Sequence, residues 1–112
     1  MNINSLILQT LSPLTVPVSY MVYTGTATTY VTFQEYNMFG TFFAEDAEKA
    51  VRRSIQIDVW STGNFNAVVD RVEELMLAAG FTRNAIYDAG YDSTFKTYHK
   101  IMRFYLTQTG GN

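Results

Sequence analysis

The sequence predicts an α+β fold: a two-layer sandwich, with a mainly antiparallel sheet of about four to five strands and two helices packed on one face. Three observations predict it. Ser54–Trp60 alternates, placing Ile55, Ile57 and Val59 on one face and Ser54, Gln56 and Asp58 on the other, the period of a half-buried strand. Apolar residues then fall at Phe65, Val68, Val69, Val72, Leu75, Met76 and Ala79, steps of three and four that draw one stripe along a main helix at about 65–79. Two more extended runs, Thr82–Ala89 and Thr97–Leu106, meet at a tight turn and should pair antiparallel.

In chain order, Asn2–Leu11 carries Ile3, Leu6, Ile7 and Leu11, with Leu8 beside them, the pattern of a short amphipathic helix. Ser12-Pro13 ends it, because proline disfavours helix in the residue before it. Leu14–Val18 reads as an extended linker and Tyr20–Tyr23 as a first strand. Thr24–Thr28 reads as a turn, so that strand should pair antiparallel with Thr29–Tyr36. In the latter, Val31 and Phe33 share one face, and Tyr30, Gln34 and Tyr36 the other. Asn37–Val51 stays open between a long hairpin tip, a loop and a short helical turn. Asn64 is placed to cap the main helix, and Gly80 to end it with a left-handed residue. One domain, 1–112, is expected, with a mobile excursion at about 38–50 and a frayed tail from about 108.

The 112 residues suffice for one small domain, and 47% of them are apolar, so a core forms without staples. No cysteine is present, which removes disulfides and thiolate metal sites. No run approaches a membrane span, and the start lacks the basic residues of a signal peptide, so no membrane role is expected. The net charge of −2 leaves no chain-wide footprint for phosphate backbones.

Candidates for chemistry are few, and no cofactor, metal or catalytic residue is expected. His99 is the single histidine; a strand histidine facing solvent or a neighbouring tyrosine accounts for it better than a catalytic role does. Asp88 and Asp92 flank an expected turn through Ala89-Gly90-Tyr91, where aspartates bond their own backbone more often than they do acid–base or calcium chemistry. Glu73 and Glu74 diverge on a helix. Arg52-Arg53 follows Glu45, Asp46 and Glu48, which suits local salt bridges better than nucleic acid. The glycines form no phosphate-binding loop. Met38, Phe39, Phe42 and Phe43, with Glu45 and Asp46 after them, form an apolar cluster in the expected excursion. They suit either a protein interface or a fold back onto the core.

The order of short motifs from Ser54 to Leu106 adds a resemblance. Gln56-Ile57-Asp58-Val59-Trp60-Ser61 precedes the main helix, Ala79-Gly80-Phe81-Thr82-Arg83 follows it, and Tyr87-Asp88 and Tyr91-Asp92 come next. Tyr98-His99-Lys100-Ile101-Met102-Arg103-Phe104 comes last. This succession resembles the tail-completion, or tail-terminator, proteins of long-tailed bacteriophages and their prophages. The resemblance implies a non-enzymatic virion protein that forms a ring, typically a hexamer, at the head-proximal end of the tail. The ring ends tube growth and offers a surface for head-to-tail joining. Its implied partners are further copies of itself, the tail-tube protein and a head-connector protein, with genomic DNA passing through the lumen without specific binding. The implied location is the virion tail, after assembly in the bacterial host cytoplasm. An acidic lumen would not hold DNA in transit. The alternative is a small α+β module that binds a peptide or small molecule in a tyrosine-lined pocket.

Overall fold

The computed structural model describes residues 2–36, 40–41 and 50–109. The elements are α1 (Ile3–Thr10), β1 (Val18–Tyr20), β2 (Thr29–Tyr36), β3 (Gly40–Thr41), β4 (Ala50–Ser61), α2 (Asn66–Ala78), β5 (Thr82–Asp92) and β6 (Thr97–Thr109). The sheet order is β1-β2-β4-β6-β5, and β3 pairs with β4 beyond the end of β2. Every pairing except β1 with β2 is antiparallel. The fold is therefore the expected α+β sandwich.

The central strand behaves as its alternation requires. Ile55, Ile57 and Val59 are fully buried and meet Val31 and Phe33 from β2 and Met102 and Phe104 from β6. Onto this face α1 lays Ile3 and Ile7, followed by Leu11, and α2 lays Val69, Val72 and Met76. Both helix registers follow the apolar stripes, while Asp70, Arg71 and Glu74 face solvent. In α1, Asn2 caps the start by accepting from the Ser5 amide.

At the ends of α2 the structure refines the expectation. Phe65 occupies the cap position, and Asn64 Oδ1 accepts from the Asn66 amide instead of further in. The C-terminal end is a Schellman closure: Phe81 N–H donates to Met76 O, and Gly80 N–H to Leu77 O. Gly80 sits at φ 98°, in the left-handed region that a side chain disfavours. Ala79, expected in the buried stripe, is exposed instead, because the helix has ended and the turn delivers Phe81 to the core in its place.

The first strand pair is a correction. Tyr20–Tyr23 was expected to run antiparallel to Thr29–Tyr36. β1 lies at Val18–Tyr20 and runs parallel to β2, with Val18 opposite Val31 and Tyr20 opposite Phe33. The chain reverses early, at Met21, whose φ is 64°, and Val22 N–H bonds back to Tyr20 O. The segment 21–28 must then return alongside the sheet. It is shorter than most parallel crossovers, which suffices because the overlap is only three residues. Tyr23 leaves the ladder, stacks on Tyr30 and accepts from the Ala27 amide through its hydroxyl. A Cβ at Gly25 would lie 2.2 Å from that hydroxyl oxygen, so a side chain there would displace the Tyr23 ring.

The last hairpin pairs as expected but is longer on both strands. Its turn is at 93–96, so Gly90 is not in a turn. It lies at a β-bulge between Asp88 and Gly90. Within the turn, Asp92 Oδ1 accepts from the amides of Thr94 and Phe95.

Candidate functional site

The sheet face away from the helices is where polar and aromatic chemistry collects. Antiparallel register places Tyr30 opposite Trp60 and Trp60 opposite His99. Cross-strand neighbours on one face stand close enough for rings to stack. The rings form a row: Tyr23 on Tyr30 at 4.4 Å, Tyr30 beside Trp60 at 6.2 Å, and Trp60 on His99 at 3.7 Å, with planes within 25° of each other.

One register step along lies Asp58, opposite Thr32 and Ile101. It is 9% exposed, so its carboxylate needs partners in place of water. His99 Nε2 donates to Oδ2 at 2.5 Å, and Gln56 Nε2 donates to both oxygens at 3.1 and 3.3 Å. Gln56 Oε1 accepts from Arg103 Nε at 3.1 Å. The Arg103 guanidinium lies over Tyr36 at 5.0 Å and Tyr87 at 5.7 Å. Trp60 Nε1 donates to Thr32 Oγ1 at 3.2 Å. On β4 the apolar face thus packs against the helices, and the opposite face carries this bonded polar layer beside the aromatic row. Burial pushes the Tyr30 phenol up from its ordinary value, and neighbouring Tyr23 adds to the effect.

The row ends in two clefts. One, of about 500 Å³, is lined by Tyr30, Trp60, Asp92 and Phe95, with Ala27, Thr28, Thr62 and Thr97 between them. The other, about 480 Å³, lies over His99 and the Gly90 bulge. At this end of the molecule Tyr91, Phe95 and Tyr98 are exposed, and Tyr91 and Tyr98 touch at 4.7 Å.

The sequence-based site residues are dispersed. Met38, Phe39, Phe42, Phe43, Glu45 and Asp46 lie outside the described residues. Asp88 ion-pairs with Lys100 at 2.9 Å, while Asp92 bonds its own turn, so the two aspartates serve separate contacts. Glu73 pairs with Arg83 and Glu74 with Arg71. Arg53 pairs with Glu35 of the adjacent strand, and Arg52 lies over Tyr105. The expected upstream partners Glu45, Asp46 and Glu48 lie outside the described residues. His99 keeps 20% of its side chain exposed, and its ring stacks on Trp60, not on a tyrosine, with its nitrogen held by Asp58. Nothing in the local sequence signals that couple, because its members are 41 residues apart and meet only through the β4–β6 register.

Among the described residues, no group of three histidines, aspartates or glutamates is placed to hold a metal ion. No described helix is long and apolar enough to cross a membrane. The arrangement stacks and hydrogen-bonds: Asp58, Gln56, His99 and Arg103 partner one another, and the open volume beside them is lined by a mixture of aromatic and small polar residues.

No family model matches the sequence, and no curated protein matches it. Among solved structures, the chain is similar to one in the virion of a native gene transfer agent particle. The match has a TM-score of 0.58 and 13% identity, and covers 93% of this chain and 92% of the other. At that identity the likeness shows the fold alone.

Proposed function

We propose that this protein is a structural virion component of a tailed phage or prophage, a ring-forming tail terminator. In this reading it caps the head-proximal end of the tail tube, ends tail growth and presents the surface for head-to-tail joining. The observation that carries it is the fold likeness, over nearly the whole of both chains, to a chain from a gene transfer agent virion. The motif order from Ser54 to Leu106 supports it, and the mutually satisfied polar layer gives no competing catalytic reading. The partners are further copies in a ring, typically a hexamer, together with the tail-tube protein and the head-connector protein.

The test is native mass spectrometry of the protein alone and with tail-tube protein, together with electron microscopy of particles lacking it. A ring formed on the tube, and overlong or headless tails in its absence, are the expected results. Normal particles in its absence would refute the reading. Met38, Phe39, Phe42, Phe43, Glu45 and Asp46 are proposed as interface residues. A Phe42→Ser, Phe43→Ser double substitution should abolish ring formation and leave the melting temperature of the free subunit nearly unchanged. If the free subunit unfolds instead, those phenylalanines belong to the core.

A further inference from the structure

We propose that the cleft between Tyr30, Trp60, Phe95 and Asp92 is a binding site for an arginine side chain presented by a partner protein. Three of its eight lining residues, Tyr30, Trp60 and Phe95, are aromatic; the others are Ala27, three threonines and Asp92, the one formally charged side chain among them. Aromatic faces attract cations through their quadrupoles, and a carboxylate at the rim adds direct attraction. Asp92 has an oxygen to spare: Oδ1 takes the Thr94 and Phe95 amides, and no ion pair to Asp92 occurs among the described residues. Lys96 lies in the same turn, exposed and unpaired with Asp92 among those residues.

The shape favours arginine over lysine. Tyr30 and Trp60 stand within 17° of parallel with their centroids 6.2 Å apart, whereas Trp60 and His99 are closed up at 3.7 Å. Tyr30 and Trp60 each face a neighbour on both sides of the row, so the open aromatic surface at the cleft is that of Phe95, which is 73% exposed. A flat, weakly hydrated guanidinium can lie along such a ring face and donate to a carboxylate at once; a compact, strongly hydrated ammonium cannot do both as well. The wall is also set in advance. His99 backs the Trp60 ring, and Thr32 Oγ1 holds its Nε1. Preorganisation lowers the ordering cost of binding. The Tyr30 phenol, pushed up by burial, stays neutral at physiological pH and adds no charge of its own. This inference does not depend on the tail-terminator reading, since the cleft belongs to the single subunit.

Trp60 is the only tryptophan, so its fluorescence reports on this cleft. The experiment titrates the protein with N-acetyl-arginine amide, N-acetyl-lysine amide and the neutral isostere N-acetyl-citrulline amide. Saturable change with the arginine compound, at least about five-fold tighter than with citrulline, is expected. Asp92→Asn keeps the Oδ1 acceptor of the turn and should erase the preference for arginine over citrulline. Asp88→Asn, which removes a carboxylate elsewhere on the hairpin, should leave it intact. Phe95→Ala, at a turn position where the side chain is 73% exposed, should weaken arginine binding about three-fold without loss of fold. Equal response to arginine and citrulline, no saturable response, or an arginine preference that survives Asp92→Asn would each overturn the proposal.

Discussion

His99→Phe tests the central polar layer. Phenylalanine keeps a ring against Trp60 but removes the Nε2 bond to Asp58, leaving a carboxylate that is 9% exposed with Gln56 as its remaining side-chain donor. Hydrogen bonds to charged groups contribute about 1.5–3 kcal/mol, and a buried group left short of partners costs a similar amount. The His99 side chain is 20% exposed, so water recovers part of the loss. The expected destabilisation is about 1–2 kcal/mol. For a domain of this size that lowers the melting temperature by roughly 4–8 °C. Adding Asp58→Val removes the stranded carboxylate and suits a β-strand, so the double variant should recover to within about 1 kcal/mol of the parent. Denaturant unfolding followed by Trp60 fluorescence and by circular dichroism reads all four members of the cycle. A His99→Phe protein as stable as the parent would refute the argument. So would a double variant whose loss is the sum of the two single losses, because coupled partners cannot be additive.

Three further outcomes are expected. Val69→Asp places an unpaired carboxylate in the helix–sheet core, where Val69 is 7% exposed, and should unfold the protein; Asp70→Asn on the exposed side should cost under about 0.5 kcal/mol in the same thermal melts. Gly80→Ala meets no atom within 4 Å, so its cost is purely conformational, about 1 kcal/mol from the left-handed backbone; a melt unchanged from the parent would contradict the Schellman assignment. Tyr30 should give an alkaline signature. Its folded-state pKa is raised above the ordinary 10.0, so below that pH the phenol is neutral in both states and its contribution is fully present. As pH rises past 10 the unfolded chain ionises first and stability falls, and Tyr30→Phe should flatten that fall when stability is measured from pH 8 to 11.

Much of the core was legible in the sequence because its signals are local. The alternation of Ser54–Trp60 and the stripe from Val68 to Met76 specify which side chains turn inward, and the structure buries Ile55, Ile57, Val59, Val69, Val72 and Met76. Gly80 announced the helix end for the same reason: a left-handed residue is a property of one position. The direction of β1 was not legible. It turns on whether the chain reverses at Met21 or at Thr24–Thr28, and threonine-rich sequence around Gly25 looks like a hairpin turn in either case.

Periodicity specified the class of fold and the apolar face of each main element, because it acts through neighbours a few residues apart, and composition alone ruled out thiol chemistry. That Asp58, His99, Trp60 and Tyr30 share one layer, and that Phe95 and Asp92 line a cleft beside it, emerges from strand pairing across the sheet. Those contacts depend on strand register, and register is set by the summed burial of whole faces. A shift of one residue along β4 would send Asp58 and Trp60 to the helix side and Ile57 and Val59 outward, so the same apolar alternation that is readable locally is what holds the polar layer together across the sheet.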